Sequence, residues 1–549
     1  MSTVPNRAEE RGQLSAAGIV IGLVGCVIIT ASSVYTALKM GALPWPTIFT
    51  SITALVLLRA FGRKSLNEAN ITQIIMSAGS MVAGGLAFTI PGIWMLGLDA
   101  EMSPLQIGGV ALAGTLLGLV ACALIRKRFV DESDLEYPIG TAAAKTLTAT
   151  QDRGGTGKRL FGSMGIAGLY CVVRDVLGWI PSMLVNLPIP GITFGIYNSP
   201  MMLSVGFLAG TGAIIAWFGG ALVQALIAAV LPALGALDVT AAQGIVSSLG
   251  MGLMMGAGVA VVVKDVLPHI GAMLRGNAKK GDKFTDLASR TDAGFLALLV
   301  AAAALVICFV LGMGPVPAVV IVAFSFVTAI MSAQSVGQTG IDPMEIFGLI
   351  VLLIVAAISS LPQVKLFYVA GIIAVACGLG GDVMSDFKTG RIIGTSPRMM
   401  WVGQAIGAAL GVVVATAAVC VLAQAYGTDA FGPGKEFVAA QASVVATMVT
   451  GVPSLPAFIV GIVAGFALYF AGLPAMMIGL GVYLPFYMSF SATLGAGVKW
   501  VYDRWQKSRG VDPATSEERG IVVASGLLGG ESIVGVVVAL VGVVTGLLG

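Results

Sequence analysis

Apolar runs long enough to cross a lipid bilayer recur along this 549-residue chain, separated by short polar stretches. A hydrocarbon core of roughly 30 Å takes about 20 helical residues. Runs that meet or approach that length lie at 14–38, 43–60, 72–97, 104–125, 161–184, 200–219, 240–264, 293–312, 315–333, 399–424, 474–498 and 521–547. Shorter or punctuated runs lie at 221–236, 346–360, 366–380, 438–452 and 455–472. Seventeen such segments predict an all-α fold, a polytopic transmembrane helical bundle.

Charge placement fits this reading. With each run taken as one crossing, the N-terminus and the regions 59–70, 126–160, 264–292, 382–398 and 499–520 fall on one side and hold 26 of the 30 Lys and Arg. Lys39, Lys365 and Lys435 face the other side, and Arg174 lies within a span. The positive-inside rule makes the shared side cytoplasmic and places the N-terminus there. The same scheme puts cytoplasmic regions after spans two, four and eight of each half. It divides the chain into a cytoplasmic tail 1–13, a first transmembrane half 14–265, a cytoplasmic linker 266–292 and a second half 293–549. S-D-L-E-Y-P-I-G-T-A at 133–142 echoes S-D-F-K-T-G-R-I-I-G-T-S at 385–396. A parallel two-fold internal repeat of about eight spans per half would account for both features.

Composition narrows the class. Charged residues are 10% and hydrophobic residues 57% of the chain, and the mean hydropathy is +0.96. A water-soluble chain would be about one-quarter charged. Glycine, at 74 residues, suits close packing of helix backbones in lipid. Cys26, Cys122, Cys171, Cys308, Cys377 and Cys420 fall within or at the ends of apolar stretches and read as small hydrophobes. His269 is the single histidine, so no His-based metal or catalytic cluster is available. The run 14–38 is about twice the length of a signal-peptide core and has no convincing cleavage site, so it reads as a retained span.

No enzyme signature is present. The fragment D-R-G-G-T-G-K-R at 152–159 imitates a phosphate-binding loop, but it lacks the leading glycine and the closing Ser/Thr. No cofactor is expected, and energy must come from an ion gradient or from downhill movement. Ionisable groups at membrane depth are costly and mark candidate sites. Arg174 and Asp175 lie in the middle of the predicted span 161–184. Tyr170 and Arg174 share a helix face, with Asp175 turned about 100° away. Arg174 is a candidate to hold a substrate carboxylate and Asp175 a candidate proton carrier, with a structural ion pair as the alternative. Glu531, about ten residues into the last span, is isolated from any charge in sequence and is a second proton-carrying candidate. Its alternative is a neutral acid hydrogen-bonded to another helix.

Broken segments add further candidates. Runs 346–360 and 366–380 are 15 residues each, about 22 Å of helix, too short to cross unaided. They adjoin polar, Gly/Pro-punctuated stretches at 332–345 and 378–390. The stretch 137–149 opens near a helix start at Pro138 and is a candidate re-entrant hairpin; ordinary loops are the alternative for all three. In M-M-I-G-L-G-V-Y-L-P-F-Y-M at 476–488, Pro485 should break the helix and Tyr483 is a candidate to face a cavity. Gly250, Gly252, Gly256 and Gly258 form a small-residue face suited to helix packing.

Seven segments carry a family resemblance: V-Y-T-A-L-K-M-G at 34–41, N-E-A-N-I-T-Q-I-I-M-S-A-G at 67–79, L-E-Y-P-I-G-T-A-A-A-K at 135–145, Q-T-G-I-D-P-M at 338–344, D-F-K-T-G-R-I-I-G-T-S-P-R at 386–398, L-G-V-Y-L-P-F at 480–486 and A-S-G-L-L-G-G-E-S at 524–532. In this order and at these places relative to the spans, they resemble the oligopeptide transporter family, which includes the yellow stripe-like metal-chelate carriers. The resemblance runs from about Ala17 to Val543. It implies a proton-coupled importer of about sixteen spans for small peptides or peptide-like metal chelates. It also draws attention to Asn70, Gln73, Thr141, Asp342, Pro343, Asp386, Lys388 and Glu531. Lys145 replaces the family's commoner acidic residue, and the N-P-G and K-I-P-P-R signatures of the peptide-transporting fungal and plant branch are absent. Both departures lean toward the prokaryotic and yellow stripe-like side.

The resulting expectation is a secondary active transporter in the cytoplasmic (inner) membrane. Asn70, Gln73, Thr141, Arg174, Asp342 and Tyr483 are expected to bind substrate, and Asp175, Glu531 and Asp386 to couple protons. The expected partners are a small-molecule substrate, protons and membrane lipid, with no nucleic acid and no bare metal ion; a homo-oligomer is compatible. A channel would instead require a continuous polar stripe or a repeated filter, and neither is present in the sequence.

Overall fold

A computed structural model describes residues 13–40, 43, 46–98, 101–133, 135, 137–150, 155–189, 191–209, 211–261, 263–264, 293–340, 342–450 and 453–548. The expected linker 266–292 with His269, and all of the tail before Gln13, lie outside the described residues. Apolar segments close their backbone hydrogen bonds internally as helices, the arrangement lipid demands. In chain order these are α1 (Ala16–Met40), α2 (Pro46–Ala60), α3 (Leu66–Ala87), α4 (Pro91–Met95), α5 (Pro104–Arg126), α6 (Pro138–Thr150) and α7 (Thr156–Cys171). After a two-stranded hairpin come α8 (Pro200–Leu208), α9 (Thr211–Ala225), α10 (Val239–Val261), α11 (Ala293–Leu305), α12 (Pro315–Thr339), α13 (Met344–Ile358) and α14 (Gln363–Cys377). The chain ends with α15 (Met384–Ile393), α16 (Pro397–Tyr426), α17 (Ala440–Thr450), α18 (Leu455–Phe470), α19 (Ala475–Tyr483), α20 (Phe486–Ser508) and α21 (Pro513–Leu548).

Starts and stops follow local chemistry. Ser65 caps α3, and Ser103 with Gln106 forms a reciprocal capping box on α5. Proline occupies the first turn of α5, α8, α12, α16 and α18, where its missing N–H costs nothing. As the sequence predicts, the chain breaks at Pro485, between α19 and α20. Wide π turns extend α5 (Lys127–Asp131), α7 (Val172–Val176), α9 (Leu226–Val230), α11 (Val306–Val310) and α14 (Gly378–Asp382). Among the described residues eight helices are long and apolar enough to cross a membrane, and five apolar helices are shorter.

Several expected spans take a different form. The run 161–184 is not one crossing: α7 ends near Val176, and Met183–Ile189 (β1) pairs antiparallel with Ile192–Tyr197 (β2). Periodicity could not separate this hairpin from the apolar helix before it. The runs 200–219 and 221–236 divide instead into α8 and a single helix from Thr211 to Ala233. The run 366–380 is not a half-helix, because the π turn carries α14 almost directly into α15. The two echo segments fold differently: 138–142 opens α6, whereas 385–393 lies inside α15. They nevertheless meet, since Thr389 Oγ1 donates to Gly140 O over 2.8 Å.

Helices from before and after the linker interleave. α3 packs on α1 and α16, α10 on α18, and α7 on α21. The apolar outer face is exposed, for example at Val20, Val24, Val319 and Val413, an arrangement suited to lipid and costly in water. Two segments have almost no lipid face: Leu66–Met95 is 100% buried over its apolar window and Gln363–Ile393 is 94% buried. They form the interior on which the polar side chains are mounted.

Where α16 crosses α3 the backbones touch, and a Cβ at Gly411 would lie 2.5 Å from Gly79 Cα. Backbone on both sides leaves nothing to rotate away. Gly411→Val is expected to cost about 3 kcal/mol or more by overpacking, whereas Gly162→Ala, in open space on α7, should be neutral or mildly stabilising. Thermal midpoints of the purified variants check both.

Candidate functional site

Two buried polar networks stand out, and the first gathers around Arg174. The π turn at the end of α7 carries this side chain, which is 3% exposed. Its Nε and Nη2 donate to the Asp175 carboxylate at 2.6 and 2.8 Å, Nη2 donates to Glu531 Oε1 at 3.0 Å, and Nη1 donates to the Asn198 carbonyl. Although the two side chains leave the helix in different directions, the guanidinium folds back onto Asp175. Tyr170, one turn earlier, donates its hydroxyl to Asn198 Oδ1 at 2.5 Å. The Tyr197 ring lies 6.0 Å from the Arg174 Cζ.

Glu531 has no charged neighbour along the chain, yet in space its carboxylate meets Arg174, Ser199 and the Met201 N–H. The Ser199 hydroxyl bridges both its oxygens at 3.0 and 2.9 Å, and the Met201 N–H donates at 2.8 Å. Ser199 is also the N-cap of α8, accepting from Met202 N–H, and Pro200 follows it. The carboxylate therefore sits on the positive end of a helix as well as on a guanidinium. Arg174 and Asp175 lie at the end of α7 rather than in mid-span, a consequence of the hairpin replacing the second half of the predicted crossing.

The second network joins the two interior segments. Gln73 on α3 donates Nε2 to Asp386 Oδ1 at 2.9 Å, Ser77 donates Oγ to Oδ2 at 3.1 Å, and Thr47 on α2 also hydrogen-bonds this carboxylate. Asn70, one turn before Gln73, donates Nδ2 to Thr395 Oγ1 at 3.4 Å. Gln73 Oε1 and Asn70 Oδ1 are enclosed acceptors without a hydrogen bond. Three more acids approach: Asp382 in the π turn interacts electrostatically with both Asp386 and Asp342, and Glu345 interacts with Asp382. Both carboxyl oxygens of Asp342 are enclosed and lack a well-formed hydrogen bond. Among the described residues none of these four acids forms an ion pair, and no three His, Cys, Asp or Glu converge as metal ligands.

The remaining candidates fall around these networks. Thr141 is partly buried on α6, next to Gly140, where a Cβ would meet the Ser385 carbonyl at 2.1 Å; α6 thus lies against the helix of Asp386. Lys388 Nζ donates to the Leu135 carbonyl at 2.7 Å. Tyr483, 8% exposed at the end of α19, has an enclosed phenol oxygen and joins neither network by a hydrogen bond among the described residues. Sequence reasoning did not single out Glu345, Asp382, Ser77 or Ser199. Glu345 and Asp382 lie inside polar stretches already marked as breaks, which was the available signal.

A bundle of lipid-facing helices that encloses unpaired acids and a caged arginine has the build of a membrane transport protein. Residues 13–541 match the OPT oligopeptide transporter protein family, and the chain belongs to it. A putative oligopeptide transporter of Haemophilus influenzae (strain ATCC 51907 / DSM 11121 / KW20 / Rd) is 23% identical over 92% of each chain. The probable metal-nicotianamine transporter YSL10 of Oryza sativa subsp. japonica is 31% identical over 30% of this chain and 27% of its own. The metal-nicotianamine transporter YSL3 of Arabidopsis thaliana is 41% identical over 15% of this chain and 13% of its own. The protein is an integral membrane transporter and not an enzyme, as its sequence leads one to expect.

Proposed function

We propose that this chain is a proton-coupled importer of small peptides or peptide-like metal chelates, with its N-terminus and basic loops on the cytoplasmic side of the cell membrane. One observation carries the coupling: Asp386 is held by Gln73, Ser77 and Thr47 between the two most buried segments, with Asp342, Glu345 and Asp382 nearby and no ion pair. A carboxyl group placed so deep, with neutral partners, is suited to taking up and releasing a proton as the protein alternates between faces. Asn70 and Gln73 offer enclosed acceptors to the substrate side of the same network, and Thr141 borders it. Arg174 is the complementary element, a cation for a substrate carboxylate, with Glu531 and Asp175 as its resting counter-ions. The names of the relatives support peptides and metal–nicotianamine chelates as the substrate class.

Uptake into proteoliposomes tests this reading. A panel of peptides and chelates should accumulate above the outside concentration, saturably, when the lumen is alkaline, and should only equilibrate without the gradient. Equilibration under both conditions would make the protein a channel or a facilitator, and a chemically altered solute would make it an enzyme.

A further inference from the structure

The Arg174 network has a counterpart that the function above leaves unused. Lys39, at the end of α1, is 7% exposed, while its ion-pair partner Glu436 is 50% exposed. The Lys39 ammonium lies 5.3 Å from the Phe437 ring centre and 5.9 Å from that of Tyr35. Arg174 shows the same asymmetry: the cation is 3% exposed, and its partner Asp175 is 34% exposed. In both pairs a fixed, buried cation is covered by an acid that water reaches.

The two pairs lie around one group of tyrosines, with Lys39 5.9 Å from the Tyr35 ring and Arg174 6.0 Å from that of Tyr197. Glu436 acts electrostatically on Tyr35, Tyr197, Tyr426 and Tyr487, and Asp175 acts on Tyr197 and Tyr426. Tyr197 and Tyr487 rings are 5.7 Å apart, and Tyr35 and Tyr426 both meet Phe437 edge-on at 5.7 and 5.0 Å. Tyr35 also presses on α21 one turn beyond Glu531, since a Cβ at Gly535 would meet its ring at 2.4 Å. Two cations here face three acids, of which Glu531 is held by Ser199 and the Met201 N–H and cannot leave without stranding them.

We propose that the region between these two pairs binds ligands carrying two carboxylates, which displace Glu436 from Lys39 and Asp175 from Arg174. An exposed acid loses little on returning to water, whereas a buried cation must keep a counter-charge. The cheapest event that admits a carboxylate is therefore exchange of the outer acid for the ligand's. The freed Glu436 and Asp175 then face any ammonium on the ligand, and the tyrosine rings suit its carbon skeleton. A neutral peptide, with one carboxylate, satisfies one cation only. The inference rests on the transporter reading for its purpose, but binding can be measured without transport.

The test uses the full-length protein in lipid nanodiscs and titration calorimetry with three probes: alanyl-glutamate, alanyl-glutamine and the C-terminal amide of alanyl-glutamate. The diacid is expected to bind about tenfold more tightly than either amide, the worth of one charged hydrogen-bonding contact. Glu436→Gln and Asp175→Asn remove the internal competitors and should tighten diacid binding severalfold, which a merely structural ion pair would not do. Lys39→Gln should bring the diacid down to the affinity of an amide. Equal binding of the three probes, no binding of the diacid at millimolar concentration, or unchanged or weaker binding in Glu436→Gln and Asp175→Asn would each overturn the proposal. If proton-driven uptake fails while the discrimination persists, the transport reading falls and the site stands; if uptake proceeds without discrimination, the site falls and the transport reading stands.

Discussion

Arg174→Ala is expected to cost about 3–5 kcal/mol of stability, the scale for removing one partner of a buried ion pair. The loss comes less from the missing attraction than from Glu531, which is 2% exposed and would be left buried without its guanidinium partner. Ser199 and the Met201 N–H would still hold it, so the carboxylate could not turn toward water. Pairing Arg174→Met with Glu531→Gln should recover part of the loss, because the amide removes the stranded charge while its oxygen still accepts from Ser199 and the Met201 N–H. The thermal midpoint of the monodisperse, detergent-solubilised protein reports both variants. A single Arg174→Ala as stable as the parent would mean that the pair is wetter than its geometry indicates.

Asp386→Asn has the second large effect, on function rather than folding. Asparagine keeps an acceptor for Gln73 Nε2, and its amide can donate to Ser77 Oγ, which serves as donor or acceptor. The helix contacts therefore survive while the titrating group disappears. One pH unit across the membrane is worth about 1.4 kcal/mol per proton, close to a tenfold concentration ratio. The parent should reach about that ratio per coupled proton, and Asp386→Asn should stay near unity. Exchange of labelled for unlabelled substrate across the same liposomes should persist, because exchange needs no net proton movement. Normal accumulation in Asp386→Asn would remove this residue from coupling and turn attention to Asp342, Glu345 and Asp382.

The membrane-spanning character of the chain was legible in the sequence because hydropathy reads the solvent directly. Breaks were less so. Pro485 announces itself by its chemistry, but the π turn at Gly378–Asp382 looks in sequence like a loop, since a glycine-rich stretch suits either, and packing against α12, α5 and α3 keeps it helical. The hairpin after α7 was hidden inside an apolar run. Site residues were legible one side at a time. Asp386 and Gln73 were marked through family motifs, and Arg174 and Glu531 through isolated charge, yet the partners are 313 and 357 residues apart. No periodicity relates positions so distant. Lys39 and Glu436 were overlooked because charges near span ends read as ordinary loop charges, and the burial of one member shows only once α1 meets the Phe431–Phe437 turn.

The near-total enclosure of Leu66–Met95 and Gln363–Ile393 has a consequence for how this protein can vary. A helix on the rim needs only to remain greasy on its outer side, so valine, leucine and isoleucine can trade places there freely. The two inner segments have almost no such outer side along their apolar stretches, and nearly every position there answers to a neighbour. A saturating substitution scan should therefore return a permissive ring around an intolerant pair of columns, with the intolerance independent of whether a given position touches the passenger.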